Sequence, residues 1–195
     1  MVANDEQGNA SQGVPPDPGY DGATGFGEDN GKKYDMHDIR KSTLWGTLMA
    51  GGAGVEYYFG YKLKQNDLIC EDFRSRDKSW DYCRIALDFF NNNDISVHEM
   101  KTANALIGND KNTNQKYCFA KPGTLYLVYL ARTQTSELQL QNATGNFSVR
   151  WFNPRTGGKL QTGSIKTVSG GNTVQLGQPP ADADEDWLVV VRQVQ

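Results

Sequence analysis

Several features that would assign this sequence to a familiar functional class are missing from it. It has three cysteines, Cys70, Cys83 and Cys118, and none shows the paired spacing of a zinc site, so we interpret them as buried thiols, with a Cys70–Cys83 disulfide as the alternative. No stretch approaches the roughly 18 uncharged apolar residues of a membrane helix, and no signal peptide is visible at the start. The net charge of −3 argues against a nucleic-acid-binding surface. We therefore expect no metal, cofactor, nucleic acid or membrane as a partner.

The composition and the charge distribution indicate a soluble globular protein with two parts. Its 195 residues suffice for one large domain or two small ones, and 37% of them are apolar. Residues 1–115 hold 12 Lys/Arg and 18 Asp/Glu, a net charge of −6, whereas residues 116–195 hold 8 and 5, a net charge of +3. The apolar pattern changes at the same place, from helical spacing to short alternating runs. We place a domain boundary in the polar linker 109–115.

Residues 1–108 alternate between predicted strands and helices. A short N-terminal strand precedes a long loop rich in Gly and Pro, and the pattern then predicts a helix over 34–50 and a strand over 54–61. A second helix is predicted to be capped by Ser79, and a short one follows over 97–107. Two strands cannot bury a parallel sheet, and a complete (β/α)8 barrel takes about 250 residues. We interpret this segment as the closing βα units of an incomplete barrel.

Residues 116–195 consist of short β-like runs separated by Gly, Pro and Asn turns. About seven runs can be distinguished: KYCFAKPG, TLYLVYLA, SELQLQNA, NFSVRWFNP, GKLQTGSIKTV, NTVQLG and DWLVVVRQV. Turns spaced roughly 8–12 residues apart are typical of antiparallel sandwiches. The sequence therefore predicts α/β plus all-β architecture, an incomplete barrel followed by a small antiparallel β-sandwich.

Two groups of motifs resemble a known pairing of domains. WFNPRTGG and the terminal strand DWLVVV resemble the small β-sandwich named the putative collagen-binding domain of a collagenase. Upstream, MAGGAGVEYYFGY followed by SWDYCRIALDFF resembles the last strand and helix of the glycoside-hydrolase-like TIM barrels that usually precede that domain. NDEQG resembles the end of their seventh strand. The resemblance covers nearly the whole chain and implies a bacterial protein that acts on a polysaccharide.

The resemblance also implies catalytic residues near the N-terminus. In the related barrels the nucleophile follows strand seven and the acid/base follows strand four, and catalytic residues lie at the carboxyl ends of barrel strands. Glu6 matches the nucleophile position and is preferred over Asp5. A retaining glycosidase needs a second carboxyl group roughly 5–5.5 Å away, which we expect on a missing N-terminal barrel portion. The alternative is an acidic pair in a solvated loop.

The motif VEYYFGY supplies three candidates for substrate binding. Along the predicted strand Glu56 and Tyr58 face one way and Tyr57 the other. Glu56 is a candidate to bind a sugar hydroxyl or to support the catalytic carboxylate, and the alternative is a structural ion pair with Arg74 or Arg76. Tyr57 and Tyr58 are candidates for a sugar-stacking wall, and core packing is their alternative.

Three further substrate-binding candidates follow in the sequence. Asp72 and Arg74 lie in the loop after the last predicted barrel strand, which would border an active site, although such mixed charges also form solvated surfaces. Trp151 is a candidate platform for a sugar ring or a collagen strand, and its alternative is a core position with Phe152 pointing outward. The acidic segment 181–186 lacks the Gly and Glu of a calcium loop, which favours a solvated turn.

Taken together, these patterns predict the C-terminal fragment of a glycoside hydrolase that uses two carboxylates, carrying an accessory β-sandwich. The fragment alone is expected to be inactive. The expected partners are a carbohydrate polymer or a collagen-like extracellular polymer, together with the missing N-terminal barrel portion. The parent protein is expected to be extracellular or periplasmic. The alternative is a non-catalytic adhesion module that binds collagen or glycan.

Overall fold

The computed structural model describes residues 3–4 and 9–194, and these residues form two compact units. The first unit comprises the chain up to Leu48 together with Gly52–Arg84, and the second comprises Met49–Gly51 and the chain from Ile85 onward. Within the described ranges, no helix is both long enough and apolar enough to span a bilayer.

The first unit contains a short parallel pairing, a hairpin and a helical segment. Strand β1 (Ala3–Asn4) pairs in parallel with strand β4 (Gly54–Val55). Strands β2 (Phe26–Asp29) and β3 (Lys32–Asp35) form an antiparallel hairpin. Asp35 then caps a helical segment that comprises α1 (Met36–Asp38), a π-helical turn (Ile39–Leu44) and α2 (Trp45–Met49). The predicted helix over 34–50 is therefore present but begins after the hairpin.

The strand predicted over 54–61 is much shorter in the structure. Only Gly54–Val55 is extended in a ladder. Downstream, the backbone N–H groups of Phe59 and Gly60 both donate to the carboxylate of Asp67, each over 3.0 Å. Because these donors serve a side chain, the ladder cannot continue through them, and the prediction was wrong beyond residue 55.

The second predicted helix begins earlier than Ser79. A 3-10 turn (Phe73–Arg76) leads directly into α3 (Asp77–Asn92), and Asp72 caps that turn by accepting from the N–H of Arg74. Ser79 is consequently a buried residue inside the helix rather than its cap. The helix continues across the division between the units, which falls between Arg84 and Ile85.

The short helix predicted over 97–107 is also wrong. Its residues form two 3-10 turns (Val97–Glu99 and Asn104–Ile107) on either side of strand β5 (Lys101–Thr102). Apolar residues at helical spacing are compatible with such turns, and pairing with the neighbouring strand β6 (Lys116–Lys121) decides the outcome here.

The second unit contains all seven predicted β runs. The strands are β6 (Lys116–Lys121), β7 (Leu125–Leu130), β8 (Glu137–Gln139), β9 (Asn146–Phe152), β10 (Thr167–Ser169), β11 (Thr173–Gln175) and β12 (Trp187–Gln193). Six strands form an antiparallel sheet in the order β10-β9-β12-β7-β6-β5, and β8 pairs with β11 in a separate antiparallel sheet.

Apolar side chains bury both faces of the six-stranded sheet. On one face, a cluster that includes Val128 and Trp151 packs with Leu138 of β8 and with Leu176, the residue that follows β11. On the other face, Phe152 packs against Phe89 of α3, with ring centroids 4.7 Å apart. The expected outward position of Phe152 was therefore wrong, since its side chain is only 2% exposed.

The polar segment 109–115 is well ordered by its own hydrogen bonds. Asn109 is buried, and its amide donates to the carbonyl oxygens of Thr113 (3.0 Å) and Lys116 (2.6 Å). The boundary between the two compact units lies within α3, whereas the sequence pattern placed the domain boundary in segment 109–115. The assignment of residues 1–108 and 116–195 as domains stays a prediction.

Candidate active site

The parallel pairing brings two chain segments to one edge of the first unit. Ala3 lies opposite Gly54 and Asn4 opposite Val55, and the N–H of Glu56 donates to the carbonyl oxygen of Asn4 over 2.7 Å. Because the two strands run in the same direction, their carboxyl ends lie at the same edge of the pair, and the residues that follow each strand begin there. The predicted catalytic pair Asp5 and Glu6 follows the first strand but lies outside the described residues.

Glu56, the first residue after the second strand, is exposed at this edge. Arg76, one of its two expected ion-pair partners, donates elsewhere: its side chain bonds to the carbonyl oxygens of Val14 (3.2 Å), Lys64 (2.9 Å) and Gln65 (2.8 Å). Arg76 is fully buried, and its guanidinium lies 4.2 Å from the ring centroid of Phe59. The guanidinium thus joins loops of the first unit.

Tyr58 fixes the loop that follows residues 5–8. Its hydroxyl donates to the carbonyl oxygen of Ala10 over 2.6 Å, and its own carbonyl oxygen accepts from the N–H of Val14 over 2.7 Å. Its ring packs edge-on against exposed Tyr61, with centroids 5.8 Å apart. The N–H of Tyr61 also donates to the carbonyl oxygen of Ser11 over 2.8 Å, so the two tyrosines present aromatic surface beside the loop 9–13.

Tyr57 has the surroundings of a packing residue. Its ring lies 5.5 Å from that of Trp80, and its hydroxyl hydrogen-bonds Cys83. Burial is the main cause that raises the pKa of the Tyr57 hydroxyl well above its usual value. These contacts match the core alternative for Tyr57 rather than a sugar-stacking wall.

Tyr34, which no sequence motif marked as functional, closes the loop 9–13. Its hydroxyl accepts from the N–H of Asn9 over 3.1 Å and donates to the carbonyl oxygen of Gly13 over 2.7 Å. Gly13 has φ of +56°, and a Cβ there would lie 2.2 Å from the carbonyl oxygen of Tyr58. Only glycine allows the backbone at position 13 to lie so close to Tyr58. The repeated glycines of the loop were the feature of the sequence that could have indicated this close contact.

Asp72 and Arg74 lie before α3 and interact with each other. Arg74 Nε is 3.4 Å from an Asp72 carboxylate oxygen, and Tyr20 donates its hydroxyl to the other oxygen over 2.9 Å. The hydrogen bond from Tyr20 is the main cause that lowers the pKa of Asp72. Arg74 is 72% exposed. The pair therefore forms a solvated ion pair at a helix start, which agrees with the surface alternative.

A second buried arginine in the first unit was also missed. Arg40, on the π-helical turn, is 1% exposed, and its guanidinium lies 4.6 Å from the ring centroid of Tyr82. Its Nη1 is 2.7 Å from Nδ1 of His37. No pattern of spacing in the sequence marks Arg40 as buried.

The remaining candidates lie in the second unit. Trp151 is fully buried and packs edge-on against Trp187, with ring centroids 6.2 Å apart, so it offers no exposed platform. In the acidic segment, Asp182 pairs with Arg155 over 3.0 Å, and Glu185 lies 3.6 Å from the same guanidinium. The described part of the chain contains no cluster of His, Cys, Asp or Glu able to hold a metal ion.

All three cysteines are free thiols, so the alternative Cys70–Cys83 disulfide is absent. Cys118 is buried as expected, Cys83 is half-buried, and Cys70 is exposed, which contradicts the expectation for that residue. Cys70 lies in the loop before the 3-10 turn, where no strand or helix covers it.

Comparisons with known proteins find one similar family and two similar solved structures. Residues 103–192 match the family described as "Putative collagen-binding domain of a collagenase". A crystal structure of a glycoside hydrolase family 5 protein from Bacteroides vulgatus ATCC 8482 is similar to the chain with a TM-score of 0.61 and 15% sequence identity. A second solved structure, described as a glycoside hydrolase, has a TM-score of 0.62 at 13% identity. A comparison with curated proteins finds no match.

The structural similarity covers unequal shares of the proteins compared. It includes 95% of this chain and 41% of the Bacteroides protein, and 94% of this chain and 40% of the second structure. The chain therefore spans about two fifths of the length of these glycoside hydrolases. At such low sequence identity the similarity shows a shared fold, and it gives no information about a shared activity.

Proposed function

We propose that this chain is the C-terminal portion of a glycoside hydrolase that cleaves a polysaccharide or glycoside with two carboxylates. In this proposal the first unit supplies the last βα units of a (β/α)8 barrel, and the second unit is an accessory β-sandwich. The remaining barrel strands belong to a portion upstream of the chain. The parent protein would act outside the cytoplasm, in the extracellular space or the periplasm.

The observation that carries this proposal is the parallel pairing of Ala3–Asn4 with Gly54–Val55. The strands are separated by a hairpin and a helical segment, as consecutive strands of a βα barrel would be. The similarity to about two fifths of a family 5 glycoside hydrolase supports the same interpretation. Active sites of such barrels lie at the carboxyl ends of the strands.

Within this edge we propose Glu6 as the nucleophile, with Asp5 as the second choice. Both follow Asn4, whose carbonyl oxygen accepts the N–H of Glu56. Glu56 and Tyr58 are proposed to contact the sugar, since Glu56 is exposed and Tyr58 is held beside the same edge by Ala10. The acid/base would come from the upstream portion, so the chain alone is proposed to be inactive.

The test uses the complete reading frame together with two matched variants. Hydrolysis is measured on a panel of aryl glycosides and soluble polysaccharides. Glu6→Gln should reduce kcat by at least about a thousandfold, because the nucleophile is removed at almost constant shape, whereas Glu28→Gln on the hairpin should leave kcat within about twofold. Unchanged turnover in Glu6→Gln, with loss in Asp5→Asn, would transfer the role to Asp5. Absence of hydrolysis by the parent protein would refute the proposal.

A second function is favoured by the family match of residues 103–192. In this alternative the second unit is a non-catalytic module that binds collagen or a glycan. Co-sedimentation of the 195-residue chain with fibrillar collagen and with insoluble polysaccharides tests it directly. Retention on one polymer, with none on the other, would identify the class of ligand, and retention on neither would leave a structural accessory role.

A further inference from the structure

The second unit contains a small pocket at one end of its six-stranded sheet. Three segments form its walls: the chain that follows α3, the turn between β6 and β7, and the end of β12. The lining residues are Asp94, Ser96, Met100, Lys121, Thr124, Leu125, Arg192 and Gln193. None of them was a candidate in the sequence analysis. Because both faces of the sheet are covered by apolar packing, its ends and edges are where a ligand can reach this unit.

Hydrogen bonds hold the three segments in place. Arg192 donates through Nη2 to the carbonyl oxygens of Asn93 and Asp94, and the N–H of Gln193 donates to the carbonyl oxygen of Thr124 over 2.9 Å. Lys121 pairs with Glu99 over 2.9 Å. The walls are therefore joined to one another, and the pocket is preformed rather than assembled by a ligand.

The pocket combines an apolar floor with charged groups of both signs. Leu125 is buried and Met100 is half-buried, whereas Asp94 is exposed at the rim. A carboxylate only accepts hydrogen bonds, and guanidinium and ammonium groups only donate them. Thr124 adds a hydroxyl group that does both. Ser96 adds a second hydroxyl, which also bonds to Glu99, and Gln193 adds an amide oxygen that accepts, since its amide nitrogen donates to the carbonyl oxygen of Thr144 over 2.9 Å. The polar walls can therefore bond to hydroxyl groups, each of which donates and accepts.

This chemistry disfavours other classes of small ligand. An anion would lie close to the carboxylate of Asp94, and a cation would lie close to Arg192 and Lys121. A wholly apolar ligand would remove the carboxylate of Asp94 and the hydroxyl of Thr124 from water without giving them a hydrogen-bond partner, which is costly. The ligand class that fits is a neutral molecule with several hydroxyl groups and one apolar patch, which describes a hexose ring.

The size of the pocket limits how much of a glycan it can hold. Its volume is about 230 Å³, below the roughly 300–1,000 Å³ of pockets that enclose drug-sized ligands. We propose that this pocket binds a single neutral hexose unit of a glycan, with the rest of the glycan in solvent. The proposal refines the binding function suggested for the second unit and requires no hydrolysis by the first.

The test is a ¹⁵N NMR titration of the 195-residue chain with the methyl glycosides of glucose, galactose and mannose, and with galacturonate as the anionic comparison. We expect saturable shifts of the amides of Asp94, Ser96, Lys121, Thr124 and Gln193 with at least one neutral glycoside. Galacturonate should bind more weakly, because of the carboxylate of Asp94. Hydrolysis of the complete protein is measured separately, so failure of this proposal does not imply failure of the catalytic one.

Asp94→Gly and Thr124→Val are the informative variants. Asp94 has φ of +52°, which glycine adopts without strain, so Asp94→Gly removes the carboxylate and keeps the backbone. Each variant should weaken glycoside binding, Asp94→Gly by about tenfold. Asn30→Gly, at a second position with positive φ in the first unit, is the matched control and should bind normally.

Several outcomes would overturn the proposal. They are the absence of saturable shifts with all three neutral glycosides, shifts confined to the first unit, and tighter binding of galacturonate than of any neutral glycoside. Unchanged affinity in both Asp94→Gly and Thr124→Val would also overturn it. A collagen-like triple-helical peptide that shifts the same amides, when no glycoside does, would assign the pocket to collagen instead.

Discussion

Phe89 of α3 and Phe152 of β9 pack against each other with ring centroids 4.7 Å apart, although they are 63 positions apart in the sequence. Both side chains are almost fully buried. The contact covers a face of the sheet that would otherwise present aromatic surface to water. The second unit therefore includes part of a helix that precedes the residues matched by the family model.

Truncation of Phe89 should destabilise the second unit strongly. Phe89→Ala is expected to lower the free energy of unfolding by about 3–5 kcal/mol, because it removes a buried ring and leaves a cavity beside Phe152. Leu87→Ala, on the exposed side of the same helix, is the control and should change it by no more than about 0.5 kcal/mol. Urea denaturation of both variants checks the difference, and equal effects would contradict the packing.

The smallest fragment that folds should begin near residue 85 rather than residue 116. A fragment of residues 116–195 lacks Phe89, and it also lacks Asn104, whose side-chain oxygen accepts from the buried N–H of Cys118 over 2.7 Å. We expect residues 85–195 to give dispersed NMR spectra and cooperative unfolding, and residues 116–195 to bind a hydrophobic dye. A well-folded shorter fragment that binds no dye would show that the helix is dispensable.

Arg76 should be essential for the stability of the first unit. Arg76→Met leaves the carbonyl oxygens of Val14, Lys64 and Gln65 without the donor that they share, and we expect a loss of at least about 3 kcal/mol. Arg74→Met, two positions away and exposed, should change stability by no more than about 0.5 kcal/mol. Thermal unfolding followed by circular dichroism compares the two variants, and similar melting temperatures would refute the assigned role.

Two carboxyl groups of the first unit should make the stability of the folded state depend on pH in opposite directions. Burial raises the pKa of Asp17, whereas the hydrogen bond from Tyr20 lowers that of Asp72. A raised pKa in the folded state means that ionisation of Asp17 favours unfolding, so stability falls as pH rises from the unfolded pKa through the folded pKa. For Asp72 the folded state favours ionisation, so its stabilising contribution is present above the unfolded pKa and is lost as pH falls through the folded pKa.

The Asn variants of these residues separate the two effects. Relative to the unmodified chain, Asp17→Asn should gain stability as pH rises through the carboxyl range, because the neutral amide carries no burial cost of ionisation. Asp72→Asn should be less stable at neutral pH, and its deficit should disappear in acid. Urea denaturation between about pH 3 and pH 7 measures both slopes, and slopes of the same sign would contradict the assignment.

The thiols should react with a water-soluble maleimide in an order set by their exposure. Cys70 is exposed and should react first, followed by half-buried Cys83. Cys118 is buried, and burial raises the pKa of its thiol to about 12, so it should react only after unfolding. Mass spectrometry of peptides after timed labelling gives the three rates. Early modification of Cys118 in the folded chain would contradict its position in the core.

The sequence was informative where the periodic pattern is strong. Each of the seven β runs of the second unit contains or overlaps a strand, because alternating apolar residues and Gly-rich turns leave few other arrangements. The prediction of a strand over 54–61 was wrong beyond residue 55 because Asp67, eight positions from Phe59, accepts hydrogen bonds from the backbone N–H groups that a strand ladder would use. Phe152 was misplaced because alternation assumes one solvated face, and here α3 covers that face.

The candidate site was predictable only in part. The position of Glu56 next to the end of the first strand follows from a parallel βα arrangement, which the sequence suggested. The buried positions of Arg40 and Arg76 could not be predicted, since arginine is rarely buried and its acceptors here are carbonyl oxygens of distant loops. The pocket at the end of the six-stranded sheet joins residues from three separate segments, and no local motif marks it.

The hydroxyl of Tyr34, which bonds both Asn9 and Gly13, has a thermodynamic consequence for any molecule that reaches the neighbouring edge. The loop between those two residues has already lost its conformational entropy in the free protein. A molecule that binds to the loop does not have to immobilise it, so more of the free energy of each new contact contributes to affinity. Selectivity there then depends on shape, because a rigid loop does not adjust to molecules of a different outline.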